Sequence, residues 1–445
     1  MNHPETSEIN AYWSSFALFE KDLNGEARSY VHEMRRSAFA AFAQQGLPSN
    51  KLEDWKYAQT GIFNEISFHP SLKKTFSLSE EVKAALNPQN SPWANQIVLV
   101  DGFFQAKLSK LPALAKGAVI GSLAQAFVTH PGCIQRYFSS CVDTNNALSL
   151  LNTSFSLDGL FIYLPKSVVI KEPIHVVVVS TAGQEPSCRY GRLLAVLEAH
   201  SQIQLVEHHI NFSSGTSLKN DVAEIVLGDG ARFEHTRVVD LSYECSQVSN
   251  AFIKQAADSF YQAHSLILGG KMVRSGVKVA LQGNGASCRL FGLDLASKQN
   301  HVDNLVTVEH LSPYCSSSQL YKGIFDDLAS GSFCGKIHVD ANAFKTDASQ
   351  TNRSLLLAKT ASTNTRPQLE IYADDVKCTH GATVGQLDEN ALFYLRARGI
   401  DQNTAKSMLT FAFAKEILES ISIKEMKLFL ENKIHARLSL EEKKI

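Results

Sequence analysis

Between residues 149 and 385 the chain shows almost no helical period. Short runs rich in Val, Ile, Leu and Phe alternate with turn residues along the whole span. Phe161–Leu164, Val176–Val179, Ile225–Leu227, Val277–Leu281 and Leu355–Leu357 are examples. A span this long without helices buries its apolar side chains only as sheets packed or stacked on one another. Two fragments echo each other, Gly228-Asp229-Gly230-Ala231 and Gly283-Asn284-Gly285-Ala286, and each joins one strand-like run to the next. Their offset of 55 residues fits two coils of a solenoid with about 20 to 50 residues per coil. In such a stack each coil buries its inward side chains against its neighbours. A β-sandwich is the competing architecture that the same runs allow.

The flanks differ from this middle. From Glu26 to Gln45, Val31, Met34, Ala38 and Phe42 recur at three- and four-residue steps and mark one helix face. Gly46 and Pro48 end that helix. A polar loop with aromatics follows through Trp55 and Tyr57, read as a packing anchor. Around residues 97–127 the pattern is mixed, with strand-like Ile97–Val100. Toward the C-terminus, Asp388 caps a helix over Glu389–Arg398 that Gly399 closes. Ala405–Ser420 and Glu425–Lys433 continue in helix. Three regions result: 1–148 mostly helical, 149–385 β, and 386–445 helical.

Forty-three basic residues against 44 acidic ones leave a net charge of −1, with no bulk signal for nucleic acid or an anionic membrane. The start is polar and acidic, unlike a secretory leader. The longest apolar runs fall far short of the roughly 20 residues of a membrane-spanning helix. Eight scattered cysteines, none in Cys-x-x-Cys spacing, read as free thiols of a cytoplasmic protein.

Neither Gly270-Lys271 nor Gly335-Lys336 has the flanks of a phosphate-binding loop, so ATP hydrolysis by this chain is not expected. Asp374-Asp375 fall on opposite faces of an extended strand and read as a turn. The sharpest feature is Cys378-Thr379-His380. In an extended strand the thiol and the imidazole share one face, and both are metal donors. They are two ligands where zinc and cluster sites take four, so the pair is either structural or completed by another chain. His200, His208, His209 and His235 lie on strand-like runs that neighbouring coils can bring together. His310 and Cys315 flank a turn and are weaker candidates.

Longer ordered motifs add a resemblance. His301-Val302-Asp303-Asn304, Glu309-His310, Tyr321-Lys322-Gly323, Gly335-Lys336-Ile337-His338-Val339, Lys345-Thr346-Asp347 and Gln350-Thr351-Asn352 resemble the SufB/SufD family of iron–sulfur cluster assembly proteins. Pro367–Ile400 is the most similar segment. Gly46-Leu47-Pro48 with Glu53-Asp54-Trp55-Lys56-Tyr57 is similar to the N-terminal motif of the SufD branch. Leu395 stands where the SufB branch carries a cysteine in a Phe-Tyr-Cys motif.

The resemblance implies a mainly β protein with α ends, its core a right-handed parallel β-helix flanked by N-terminal and C-terminal helical regions. It implies a non-enzymatic scaffold that pairs with a SufB-type paralogue and with SufC, an ABC-type ATPase. It leaves a homodimer of the isolated chain open. On this reading His380, helped by Cys378, sits at the seam with the SufB-type partner. No cofactor is held stably there, and iron or an iron–sulfur cluster is shared transiently with that partner. Met408, Leu409, Phe411 and Phe413 dock the ATPase. The alternatives are a carbohydrate-active β-helix enzyme, or a structural adaptor without metal chemistry.

Overall fold

The computed structural model describes residues 6–23, 30–65, 69–70, 78–89, 91–111, 113–181, 186–212 and 215–441. Strands follow one another from Leu160 to Gly385 and alternate between two ten-stranded sheets. Each strand pairs in parallel with the strand two places further on, so the chain winds as a two-sheeted parallel β-helix. Ser217 meets Cys245, 28 residues on, in the next coil. The echo seen in the sequence lies at one corner of this helix, two coils apart. Gly230 (φ 63°) and Gly285 (φ 69°) both take the left-handed conformation that the corner requires.

Alternation along each strand builds the core. Val277, Val279 and Leu281 point into the lumen, whereas Lys278 between them does not. Ile97, Leu160, Ile225, Phe233, Tyr261, Leu290 and Val308 fill the same continuous interior. Each such side chain stabilises the fold by about 1.5–3 kcal/mol when fully buried. The N-terminal region adds strands to both sheets. Asn95–Val100 pairs in parallel with Ile174–Ser180, and Val119–Ser122 pairs antiparallel with Leu160–Leu164.

Helices cover the outer faces. Thr6–Asp22, Tyr30–Gln45 and Ala147–Phe155 pack Phe16, Phe39, Phe42 and Phe155 against Tyr190, Leu218 and Val248. The predicted helix ending at Gln45 is present with Val31, Ala38 and Phe42 buried; its expected start at Glu26 lies outside the described residues. Helix Ala147–Phe155 runs past residue 149, where the sequence showed no helical period. It is buried from Leu148 to Phe155, and its polar stripe of Ser149, Asn152 and Thr153 faces the interior instead of solvent. At the other end, Gln402–Glu419 and Lys424–Glu441 lay Ala414, Ile417, Leu418, Met426 and Leu430 over Val206, Val238, Leu266 and Leu293. Among the described residues no helix is long and apolar enough to cross a membrane.

The last two strands, Ser362–Ile371 and Lys377–Gly385, terminate the two sheets. Neither contains a buried residue, unlike every long strand before them. One end of the solenoid therefore stands open, with two adjacent sheet edges.

Candidate metal-ligand edge

The terminal strand starts from a tight turn. Asp375 adopts φ 55°, its carboxylate meets Lys345 Nζ at 2.6 Å, and Lys377 N donates to Thr346 O at 2.8 Å. Asp374-Asp375 are thus a strand-connecting turn, both exposed. From there the register is unbroken: Cys378 lies beside Ala348, His380 beside Gln350 and Ala382 beside Asn352. Ala348, Gln350 and Asn352 are buried lumen residues, so Cys378 and His380 continue the lumen-facing row at the open end.

The two donors differ in environment. Cys378 is half-buried and packs against Ile337, Val339, Ala343, Ala348 and Ala373. Burial, and then the nearby Asp347 carboxylate, push its thiol above the ordinary value, so at neutral pH it keeps its proton. His380 is exposed. Residues two apart on a strand are separated by roughly 6.6 Å along it, so the side chains can converge on one atom beyond the edge. Among the described residues no group of three or more His, Cys, Asp and Glu side chains is arranged to hold a metal ion. The donor chemistry suits iron or zinc, but the set is incomplete among the described residues.

The other histidines have local partners. His235 and His209 converge on Glu207 inside the lumen, at 3.2 and 3.6 Å. His208 instead packs against Phe429, and His200 occupies a corner turn. His310 is buried and bonded to Ser317 Oγ at 2.8 Å, and Cys315 is bonded to Gly283 O. Trp55 is a buried anchor, with the Arg274 guanidinium 3.9 Å from its ring centre; Tyr57 is exposed.

The expected docking residues separate on the helix Gln402–Glu419. Met408 is exposed and Leu409 half-buried. Phe411 stacks on His435 at 3.8 Å, and Phe413 lies under Lys322 at 4.6 Å. Both phenylalanines pack mainly within the chain. Larger exposed aromatics stand on helix Glu389–Ala397, which buries none of its residues: Phe393 is 73% and Tyr394 59% exposed. Both lie in a motif that the sequence displays, but their exposure shows only once the helix is seen to pack on one side, against Gln402–Glu419.

Charged residues also converge on the outer face of the sheet that ends at Ser362–Ile371, in a cleft of about 650 Å³. Lys278 bridges Asp143 and Glu309 there, and Lys336 meets Glu370 at 2.7 Å. These carboxylates are engaged with lysines instead of facing one another.

Two ten-stranded sheets wound as a parallel β-helix, with helices on the outer faces and one open end, define the class of this fold. A family model for the SUF system FeS cluster assembly, SufBD core domain, matches residues 178–413, and one for the SufBD protein N-terminal region matches residues 6–176. The chain belongs to the SufBD family. It is 30% identical over 411 residues to an iron–sulfur cluster assembly SufBD family protein of Synechocystis, covering 90% of each chain. It is 29% identical to the iron–sulfur cluster assembly protein SufD of Escherichia coli, over 98% of each chain. To the chloroplastic protein ABCI7 of Arabidopsis thaliana it is 26% identical, over 89% of this chain and 84% of that one.

Proposed function

We propose that this chain is the SufD-type scaffold of an iron–sulfur cluster assembly complex, without catalysis of its own. The observation that carries this reading is the open end itself. Lys377–Gly385 presents an unpaired strand edge with Cys378 and His380 on it, and an exposed edge is a template for a strand from another chain. A SufB-type paralogue, itself a β-helix on this reading, would pair there and supply the missing donors. The cluster is cargo of the shared site and leaves it. His380 contributes an imidazole nitrogen, and Cys378 a sulfur once the metal has displaced its proton.

The C-terminal region, 386–445, serves as the dock for a SufC-type ABC ATPase. Phe393, Tyr394 and Met408 give it the exposed apolar surface such a contact needs. Closure of two ATPases would then move the two scaffolds against each other at their seam. Eight free cysteines suit a reducing compartment such as the cytoplasm.

Charge placed on the open end tests the pairing. Val384→Arg and Ile371→Arg alter exposed side chains, so the chain should fold and still bind the ATPase while losing the paralogue on co-purification. Retention of the paralogue by both variants contradicts the assignment of this edge.

A further inference from the structure

The lumen-facing row that ends at His380 changes character as it approaches the open end. In register it reads Leu205, His235, Ala263, Leu290, Gln319, Gln350, His380. Two buried amides thus stand directly behind the exposed imidazole. Gln350 Nε2 donates to Gln319 Oε1 at 3.0 Å, which commits the nitrogen to the preceding coil. Gln350 Oε1 is fully buried and accepts no hydrogen bond. A buried carbonyl left without a donor is costly, and the next residue in its row is His380.

The opposite sheet makes room for this amide. The row that faces it runs Val277, Val306, Gly335, Pro367. A Cβ at Gly335 would overlap the Gln350 amide nitrogen. The lumen is therefore shaped around a glutamine at this position, with Gly335 standing where the facing row carries valine in the two coils behind it.

We propose that Gln350 is a positioning residue for His380. Its Oε1 accepts the N–H of one imidazole nitrogen, which holds the ring over the lumen and leaves the other nitrogen unprotonated toward the metal. Adjacent strands lie about 4.8 Å apart, within reach of both side chains. Metal-binding histidines generally donate their second ring N–H to an oxygen acceptor of this kind. The inference rests on the reading of His380 as a ligand of the shared site.

The test uses the full-length chain labelled with ¹⁵N-histidine, at about pH 8, above the usual histidine pKa of about 6.5. The His380 ring signals are those that disappear in His380→Ala. One tautomer should dominate in the wild type and in Gln350→Glu, which keeps an acceptor. Gln350→Leu, or Gln350→Met if the leucine variant folds poorly, should give a mixture. In the complex co-expressed with its partner subunits, the same apolar variants should lower bound iron several-fold. An unchanged tautomer ratio in the apolar variants, with unchanged iron, overturns the role of Gln350 alone. Normal iron in His380→Ala overturns the ligand reading, and this inference with it.

Discussion

Arg274 stands over the ring of Trp55, its guanidinium carbon 3.9 Å from the ring centre, while its Nη2 donates to Asp54 O at 2.7 Å and its Nη1 pairs with Asp303. The pair joins the early aromatic loop to the middle of the solenoid. Burial lowers the Arg274 pKa only to about 10, so it stays charged at neutral pH. Arg274→Ala leaves the buried Asp303 carboxylate without its counter-charge and removes the support of Trp55. A loss of about 3–5 kcal/mol is expected. Chemical denaturation measures it; a change below about 1 kcal/mol would show that the contact is peripheral.

Lys322 plays the same part for the C-terminal helices. It is 4% exposed, meets Glu416 at 2.5 Å and donates to Phe413 O at 2.8 Å. Lys322→Ala removes these two bonds from the solenoid to helix Gln402–Glu419 and leaves Arg353 paired with Glu416 at 3.4 Å. Hydrogen exchange in that helix should rise by about ten- to a hundredfold, for a loss of roughly 1–3 kcal/mol, with helix Tyr30–Gln45 on the opposite face unchanged.

Acid should unfold the protein through its histidines. Burial lowers the pKa of His175 to about 3, and those of His264, His301 and His310 to about 4, from an ordinary 6.5. Below pH 6.5 the unfolded chain takes up protons that the folded chain refuses. The histidines' contribution is therefore complete above pH 6.5 and falls between pH 6.5 and 4, by up to about 1.4 kcal/mol per pH unit for each, while Asp294, whose carboxyl burial raises to about 7, contributes the opposite slope. Denaturation midpoints across that range measure the slope, and His310→Asn should reduce it.

Phe393→Asp and Tyr394→Asp change residues that are mostly exposed, so their effect on stability should stay within about 0.5 kcal/mol. On the docking assignment, both should abolish co-purification of the ATPase. Melting temperature and pull-down, measured together, separate a lost surface from a lost fold.

The coil repeat was legible only where glycine met the corner. His200, Gly230, Asp258, Gly285, Tyr314, Lys345 and Asp375 all take positive φ at corners of successive coils. Two of the seven are glycine, so the sequence shows one echo, 55 residues apart, and hides the coils between and after. Cys378 and His380 could be placed on one strand face by spacing alone, and the structure puts them in one row at the open end. The part of Gln350 could not be read, because it depends on a register neighbour 30 residues away and on the space left by Gly335. Phe411 and Phe413, expected to dock the ATPase, lie on a helix that is apolar on several sides. It packs on the solenoid with one side and on helix Lys424–Glu441 with another.

On the proposed function, His380 is this chain's contribution to a metal site completed by a partner. Iron and acid-labile sulfide per complex, measured without oxygen on the assembly co-expressed with the SufB-type paralogue and the ATPase, decide whether it is. His380→Ala should give a complex of unchanged composition that has lost its iron and sulfide. Wild-type content of both in the His380→Ala complex would show that His380 is not a ligand.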